Sequence, residues 1–325
     1  MALRGAMVNQ LFRREDQAIT SLWETSPWVA SSSVPAVTVA QLRSFLAVAS
    51  TGSVRAAAQQ LVVTESAVSA AVTALSRQMG VALLEREGRG VRCSPAGGAF
   101  APYARQVLGL LAEGSAAAAG GVDPEHGSVR VAAVTTASEQ VLPTLLAGFR
   151  TRHPTVAVHL QVSDSRAVWS AFGAHEADVV LAGRPPPEAD GAVSRAVRTN
   201  RLLAVAAPHT QVELGRSTWL VREVGSGTRI TMEAMLEAQE IRPPLLHMGS
   251  SGAVIAGAVA GLGIALVSED AVHALLADGA LRVVDVPTLP LVRPWHLVTQ
   301  EAPTATAQLF VQHLLAAADG QFRQP

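Results

Sequence analysis

The sequence predicts an α+β chain in three parts: a small helical unit closed by a hairpin, one long helix, and two units in which strands and helices alternate. Three observations carry this. Residues 39–98 hold three helical apolar periods and then a Gly-rich pair of extended runs; Phe100, Tyr103, Val107 and Leu110 recur at gaps of three and four; and from Ser128 apolar strand-like runs alternate with helical ones.

The first helix opens around Ala40, with Leu42, Phe45, Leu46 and Ala49 on one face, and Gly52 ends it. Ser53 is placed to cap a second helix, whose Ala56-Ala57-Ala58 lets a neighbour cross closely. A third starts after Thr64, whose hydroxyl can cap free amides, and runs to Met79 with Val68, Val72, Leu75 and Met79 inward. Its other face is polar. After Gly80, residues Leu83 to Arg92 read as two short strands about a Gly-rich turn. A helix-turn-helix with such a wing reads DNA, so residues 37–95 are assigned to a DNA-binding domain. Thr64, Glu65, Ser66, Ser69 and Thr73 are the candidate groove-facing residues, with Arg55, Arg86, Arg89 and Arg92 for phosphate or minor-groove contacts. The bland alternative is a three-helix bundle with a solvated loop.

The positions Gly52-Ser53-Val54, Ala57-Ala58, Leu61, Val63-Thr64, Ala67-Val68-Ser69, Leu75, Gly80, Leu83-Leu84-Glu85-Arg86 and Ser94-Pro95-Ala96-Gly97 together resemble the LysR-type transcriptional regulators. The match departs in two places. Ala70 and Ala71 stand where the resemblance implies a basic residue and a glutamine, and Arg55-Ala56 shifts a cationic contact by one position. Arg55 and the wing arginines are then left to supply more of the grip.

Charge agrees with a local DNA contact. The whole chain carries a net charge of -1, yet Thr38 to Arg92 holds six arginines against three glutamates, a balance of +3. All 25 basic residues are arginine, and Cys93 is the single cysteine, so no intramolecular disulfide can form. A hydrophobic share of 49% with 16% charged residues excludes a wholly disordered chain. Residues 1–36, with Pro27, Pro35 and three consecutive serines, read as a disordered extension without a secretion signal. An upstream start codon or an extra arm near DNA are the other readings of that segment. Gly249 to Ser268 is twenty residues without a charge, but Gly252, Gly257, Gly261 and Gly263 break it into a helix, a turn and a buried strand, so no membrane span is expected.

Ser94-Pro95 is a helix start, and Phe100, Tyr103, Val107 and Leu110 form a seam along residues 96–121. The resemblance implies that this linker helix pairs with its copy in a second subunit. Two recognition helices would then meet an interrupted palindrome in double-stranded DNA. Gly114 and Gly120-Gly121 are expected to loosen the chain beyond it.

Strands are expected at Val129–Val134, through Val156 to Val162, and at Asp178–Leu181, with a helix through Leu142, Leu145, Leu146 and Phe149 ended by His153-Pro154. A second set follows: strands at Leu202–Ala206 and Trp219–Val221, near Ile264 and near Leu281, with helices after Thr228 and from Ser251. By resemblance these are the two subdomains of a LysR-type effector domain, similar to type 2 periplasmic solute-binding proteins. Subdomain I would comprise residues 127–200 and 296–318, and subdomain II residues 201–295. Ligands of open α/β sheets collect where strands end and helices begin. Thr135, Thr136, Ser165, Arg184, Arg222, Ser226, Thr228, Arg229, Ser250 and Ser251 occupy such places and are the candidate effector residues. Glycines, hydroxyls and arginines ahead of a helix favour a carboxylate or phosphate; plain capping is the alternative for Ser226 and Thr228.

Thr135-Thr136, Gly183-Arg184-Pro185-Pro186, the Gly225 to Arg229 turn, Gly249-Ser250 and Arg293-Pro294-Trp295-His296 resemble the LysR-type subgroup that contains regulators of carbon dioxide fixation genes. The resemblance implies a cytoplasmic homo-oligomer that needs no cofactor beyond a small anionic effector, with RNA polymerase as a further partner and no membrane. A solute receptor for transport is the competing class, and it would need an export signal. Catalysis is not expected, since the chain has no HExxH, no GxSxG and no lysine for a Walker loop; no metal site is expected either.

Overall fold

The structure is a computed structural model and describes residues 35–88, 90–120, 123–317 and 321–325. Residues 1–34 of the N-terminal extension and Arg89 lie outside the described residues. The chain divides into two compact units, Met1–Ala101 and Pro102–Pro325.

In the first unit, helix α1 (Val39–Thr51) is opened by Thr38 in a reciprocal capping box with Gln41 and closed by Gly52 at φ 67°. Ser53 caps α2 (Val54–Leu61) by accepting from the amide of Ala56, and Thr64 caps α3 (Glu65–Met79) by accepting from that of Ala67. Phe45, Val48, Ala57, Val68 and Leu75 are fully buried among the three helices. The wing is an antiparallel pair, β1 (Leu84–Glu87) and β2 (Gly90–Cys93), in which Glu85 lies opposite Arg92. Gly97 sits so close to the carbonyl of Leu83 that any side chain there would collide with backbone.

Helix α4 (Pro95–Gly120) follows, opened by Ser94, whose hydroxyl accepts from the amide of Gly97 and donates to the carbonyl of Ala82. Its Pro102 lacks an N–H to give to the preceding turn, and the division between units falls there. Gly114 does not loosen the chain; it lies inside the helix. Within the second unit the later turns of α4 are fixed to the effector lobe. Gln106 donates to the carbonyl of Gly173 at 3.0 Å, Glu113 meets His175 at 2.7 Å, and Gly109 leaves no room for a Cβ against the carbonyl of Ala174.

Lobe I is a six-stranded mixed sheet. Its strands are β3 (Ser128–Val134), β4 (Ala157–Ser163), β5 (Val179–Ala182), β6 (Ala192–Arg198), β13 (Trp295–Gln300) and β14 (Phe322–Arg323), in the order β14-β6-β13-β5-β3-β4. Helices α5 (Thr135–Gln140), α6 (Leu142–Arg152), α7 (Ser165–Gly173) and α11 (Ala305–Ala317) accompany it. Leu142, Phe149, Phe310 and Leu314 fill one face and Val168 and Phe172 the other. Lobe II has six strands as well, β7 (Arg201–Ala206), β8 (Trp219–Val221), β9 (Leu245–His247), β10 (Ile264–Ser268), β11 (Arg282–Val283) and β12 (Leu291–Val292). Its helices are α8 (Gly227–Ala238), α9 (Ser251–Val259) and α10 (Glu269–Ala277). The apolar run from Gly249 is indeed a helix and a buried strand, and no described helix is long and apolar enough to cross a membrane.

The chain crosses from lobe I to lobe II between β6 and β7, and returns between β12 and β13. The return comes before Trp295, which the sequence assigns to subdomain II and which opens β13 of lobe I. The elements that were not legible include β6, β9, β12, β13, β14, α5 and α10. β6 alternates apolar residues with Ser194, Arg195 and Arg198, so it shows no apolar run. β14 lies past residue 318, where subdomain I was expected to end.

Candidate DNA-reading surface and ligand cleft

On the first unit Thr64, Glu65, Ser66, Ser69 and Thr73 are all exposed, along the first three turns of α3. Thr64 is partly occupied, since its hydroxyl caps Ala67 and lies 3.0 Å from that of Ser66. Arg55 and Arg86 are exposed. Arg92 is exposed but paired, 2.7 Å from Glu85 across the hairpin and 3.6 Å from Glu87. The wing therefore offers its positive charge mainly through Arg86 among the described residues, because two carboxylates offset Arg92.

The expected seam on α4 splits. Tyr103, Val107 and Leu110 are exposed at 66%, 45% and 50%, joined by Leu111 at 54%. Phe100 does not belong to that face; it packs with its ring centre 5.6 Å from that of Phe45.

Between lobes I and II lies a polar cleft. From lobe I it is lined by Thr135 and Thr136 at the start of α5 and by Ser163, Asp164 and Ser165 between β4 and α7. From lobe II come Arg222, Ser226, Gly227 and Thr228, where β8 gives way to α8. Six of the expected effector residues thus meet at one place. Ser226 caps α8 by accepting from the amide of Arg229, so the capping reading holds for it while it also lines the cleft. Arg222 is buried and already engaged: its Nε and Nη2 donate to the carboxylate of Glu223 at 2.8 and 2.5 Å. That guanidinium holds the Glu223 carboxyl below its ordinary value against the opposing effect of burial.

Four expected residues do not line this cavity. Arg184 is exposed beside Gly183. Arg229 turns along its helix to Glu233 at 2.7 Å. Ser250 caps α9 by accepting from Ala253, and Ser251 is buried behind it. A hydroxyl ahead of a helix looks the same in sequence whether it meets a ligand or only the next turn.

The residue that sequence reasoning missed is Arg293, at the returning crossing. It lines the cleft, and its guanidinium lies so near Gly183 and Gly227 that a Cβ on Gly227 would collide with it. Among the described residues no carboxylate comes within 4.0 Å of it. Desolvation holds its pKa below the usual arginine value. Its backbone is pinned from both sides: its amide donates to the carbonyl of Asn200 at 2.8 Å, and the Asn200 side chain donates to its carbonyl at 3.0 Å. Asn200 also accepts from Ser268 at 2.7 Å, so the two crossings are tied to each other and to β10. The signal was present in the Arg293 to His296 motif, but nothing near it marks a turn before a helix.

Two histidines, His296 buried and His313 half-buried, stand apart from the cleft. His296 contacts Ser194 through Nδ1 at 3.0 Å, and His313 stacks edge-on against Phe149, while the Nε2 of each is buried without a partner. Burial lowers the pKa of both; Arg184 adds to it for His296, and His153 and Arg152 for His313. No group of three His, Cys, Asp or Glu side chains among the described residues is placed to hold a metal ion.

A winged helix-turn-helix joined through a long helix to a two-lobed unit with a polar cleft defines a one-component regulator: one end reads DNA, the other takes a small molecule. Residues 39–98 match the bacterial regulatory helix-turn-helix of the lysR family, and residues 123–319 match the LysR substrate binding domain. The chain belongs to the LysR family of transcriptional regulators. It is 36% identical over 273 residues to the transcriptional regulator CbbR of Xanthobacter flavus, covering 80% of this chain and 81% of that protein. To the RuBisCO operon transcriptional regulator of Acidithiobacillus ferrooxidans it is 32% identical over 302 residues, covering 89% and 97%. Its fold is shared by full-length CbnR in complex with its target DNA, at a TM-score of 0.60 and 22% identity over 86% of this chain and all of that one. The regulatory domain of Synechocystis PCC6803 CcmR in complex with 2-PG has a TM-score of 0.54 at 23% identity, over 59% of this chain and 98% of that one.

Proposed function

We propose that this regulator is switched by a small anion, a phosphate or carboxylate, held between the lobes by Arg293 and the start of α8. The observation that carries the reading is the Arg293 guanidinium, a partly buried cation in the cleft with no carboxylate partner among the described residues. A cation withdrawn from water in that way is stabilised by an anion that enters. The amides of Gly227 and Thr228 at the positive end of α8, and the hydroxyls of Thr135, Thr136 and Ser165, add donors around it. The regulatory domain of CcmR, which shares the fold, has a known structure in complex with 2-PG.

On this reading an anion that bridges the lobes prefers the closed arrangement, and that difference in affinity is what shifts the regulator. Tyr103, Val107, Leu110 and Leu111 would meet the same face of a second subunit. The pair would set two α3 helices against an interrupted palindrome through Thr64, Glu65, Ser66, Ser69 and Thr73, with Arg55, Arg86, Arg89 and Arg92 on phosphates. The protein would act in the cytoplasm on RNA polymerase at its promoters, without catalysis.

A mobility-shift titration on the DNA flanking its own gene, at several salt concentrations with and without inorganic phosphate, tests this. Specific binding whose affinity or footprint changes with phosphate is expected. Binding that is identical with and without phosphate across the series would remove the anion from the account.

A further inference from the structure

The cavity at Arg293 is small. Its inner space of about 30 Å³ admits a compact oxyanion and leaves little room for a larger organic group. The remaining atoms need another place. Ser165, which lines this cavity, also lines a second, more open one of about 500 Å³ at the mouth of the cleft. Its walls come from both lobes: Trp169 and Pro186 from lobe I, Val224 and Ile230 from lobe II.

These walls are apolar and uncovered. Val224 is 67% and Ile230 60% exposed, although both flank the helix start that faces the anion site. Trp169 is held edge-on by Phe172, with ring centres 5.9 Å apart, so its place on the wall is set by packing. Arg166 stands at the rim without a carboxylate within 4.0 Å among the described residues, and Arg229 reaches Glu233 beside it. Apolar walls with Arg166, Arg229 and the carboxylate of Glu233 around them, sharing Ser165 with the anion site, suit a molecule that is apolar at one end and negative at the other.

We infer that this outer cavity is a second compartment of the effector site, and that the effector is an anion joined to a flat apolar or aromatic group. The anion sits at Arg293 and the ring lies between Trp169 and Ile230. The inference rests on the anion site proposed above, and its test separates the two. Titration calorimetry of the full chain with methyl phosphate and with phenyl phosphate compares ligands of like charge that differ in the ring. Phenyl phosphate should bind about tenfold more tightly, the order that burying one face of a ring supplies. Ile230→Ser, at an exposed position, should erase most of that advantage while leaving methyl phosphate affinity unchanged. Arg293→Met should weaken both ligands.

Equal affinity for the two ligands, or a phenyl advantage that survives Ile230→Ser, overturns the second compartment while the anion site stands. Failure of Arg293→Met to weaken either ligand overturns the anion site itself. Sedimentation of the unliganded protein covers the other occupant: if Ile230→Ser reduces self-association, a second copy of the chain covers this wall, and the inference is wrong.

Discussion

Replacing Arg293 by methionine isolates the charge in the cleft, because the new side chain keeps most of the length and the apolar stem while the backbone bonds to Asn200 remain. Without ligand the variant should melt at the wild-type temperature or above it, since a partly desolvated cation with no ion partner is exchanged for an apolar group. With ligand the order reverses. Hydrogen bonds to charged groups contribute about 1.5–3 kcal/mol, so phosphate affinity should fall roughly 10- to 100-fold. At a phosphate concentration about 100 times the wild-type Kd, the wild-type gain is about 2.7 kcal/mol, or roughly 5–10 °C for a unit of this size. In the variant the same phosphate should give only about 1–5 °C. Differential scanning fluorimetry over a phosphate series reads both quantities. A full phosphate shift in Arg293→Met would refute the reasoning, and so would an unliganded variant that melts well below wild type, which would make the guanidinium a structural strut.

Three further outcomes follow from named contacts. Glu223→Gln releases Arg222 from its neighbour and removes a negative charge beside the cleft, so phosphate should bind about 3- to 10-fold more tightly by calorimetry; unchanged affinity would mean that Arg222 does not face the ligand. His313 is held neutral in the folded protein below the ordinary value of 6.5, so the unfolded chain takes up its proton first and stability falls as pH drops below that value. His313→Leu should therefore lessen the loss of Tm between about pH 7.5 and pH 5.5, and an unaltered loss would place the acid sensitivity elsewhere. Glu85→Gln removes the nearer of the two carboxylates that hold Arg92 on the wing, so DNA affinity should rise for all sequences alike and the salt dependence should steepen by about 0.9 in log–log slope per added phosphate contact. A slope measured by fluorescence anisotropy that does not change would keep Arg92 off the backbone.

Local rules made the first unit legible. Gly52, Ser53, Thr64 and Gly80 each mark a helix end through their own backbone or hydroxyl, and all four act there. The crossings of the effector unit were legible only by resemblance, because nothing local distinguishes the link at Asn200 from any other turn. Six cleft residues could be named because strand ends before helices converge in such sheets. Arg293 could not be, since its importance comes from what surrounds it in space: the glycines that admit it and the acid that is missing. Arg184, Ser250 and Ser251, which do not line the cavity, show the converse. Chemistry that suits an anion is common beside helices, and only packing decides which side chains turn inward.

The grip of α4 on lobe I has a mechanical consequence. Gln106, Gly109 and Glu113 all engage the segment from Gly173 to His175, which belongs to lobe I alone. The later turns of α4 are thereby fixed to lobe I, and lobe II is joined to that lobe by two chain links, at Thr199–Asn200 and Arg293–Pro294. Arg293 lies on one of those links, so on the proposed reading the ligand's anchor would also be a hinge. An anion arriving there would act at the axle of any swing of lobe II rather than at its rim, where a small displacement is magnified most before it reaches the far edge of that lobe.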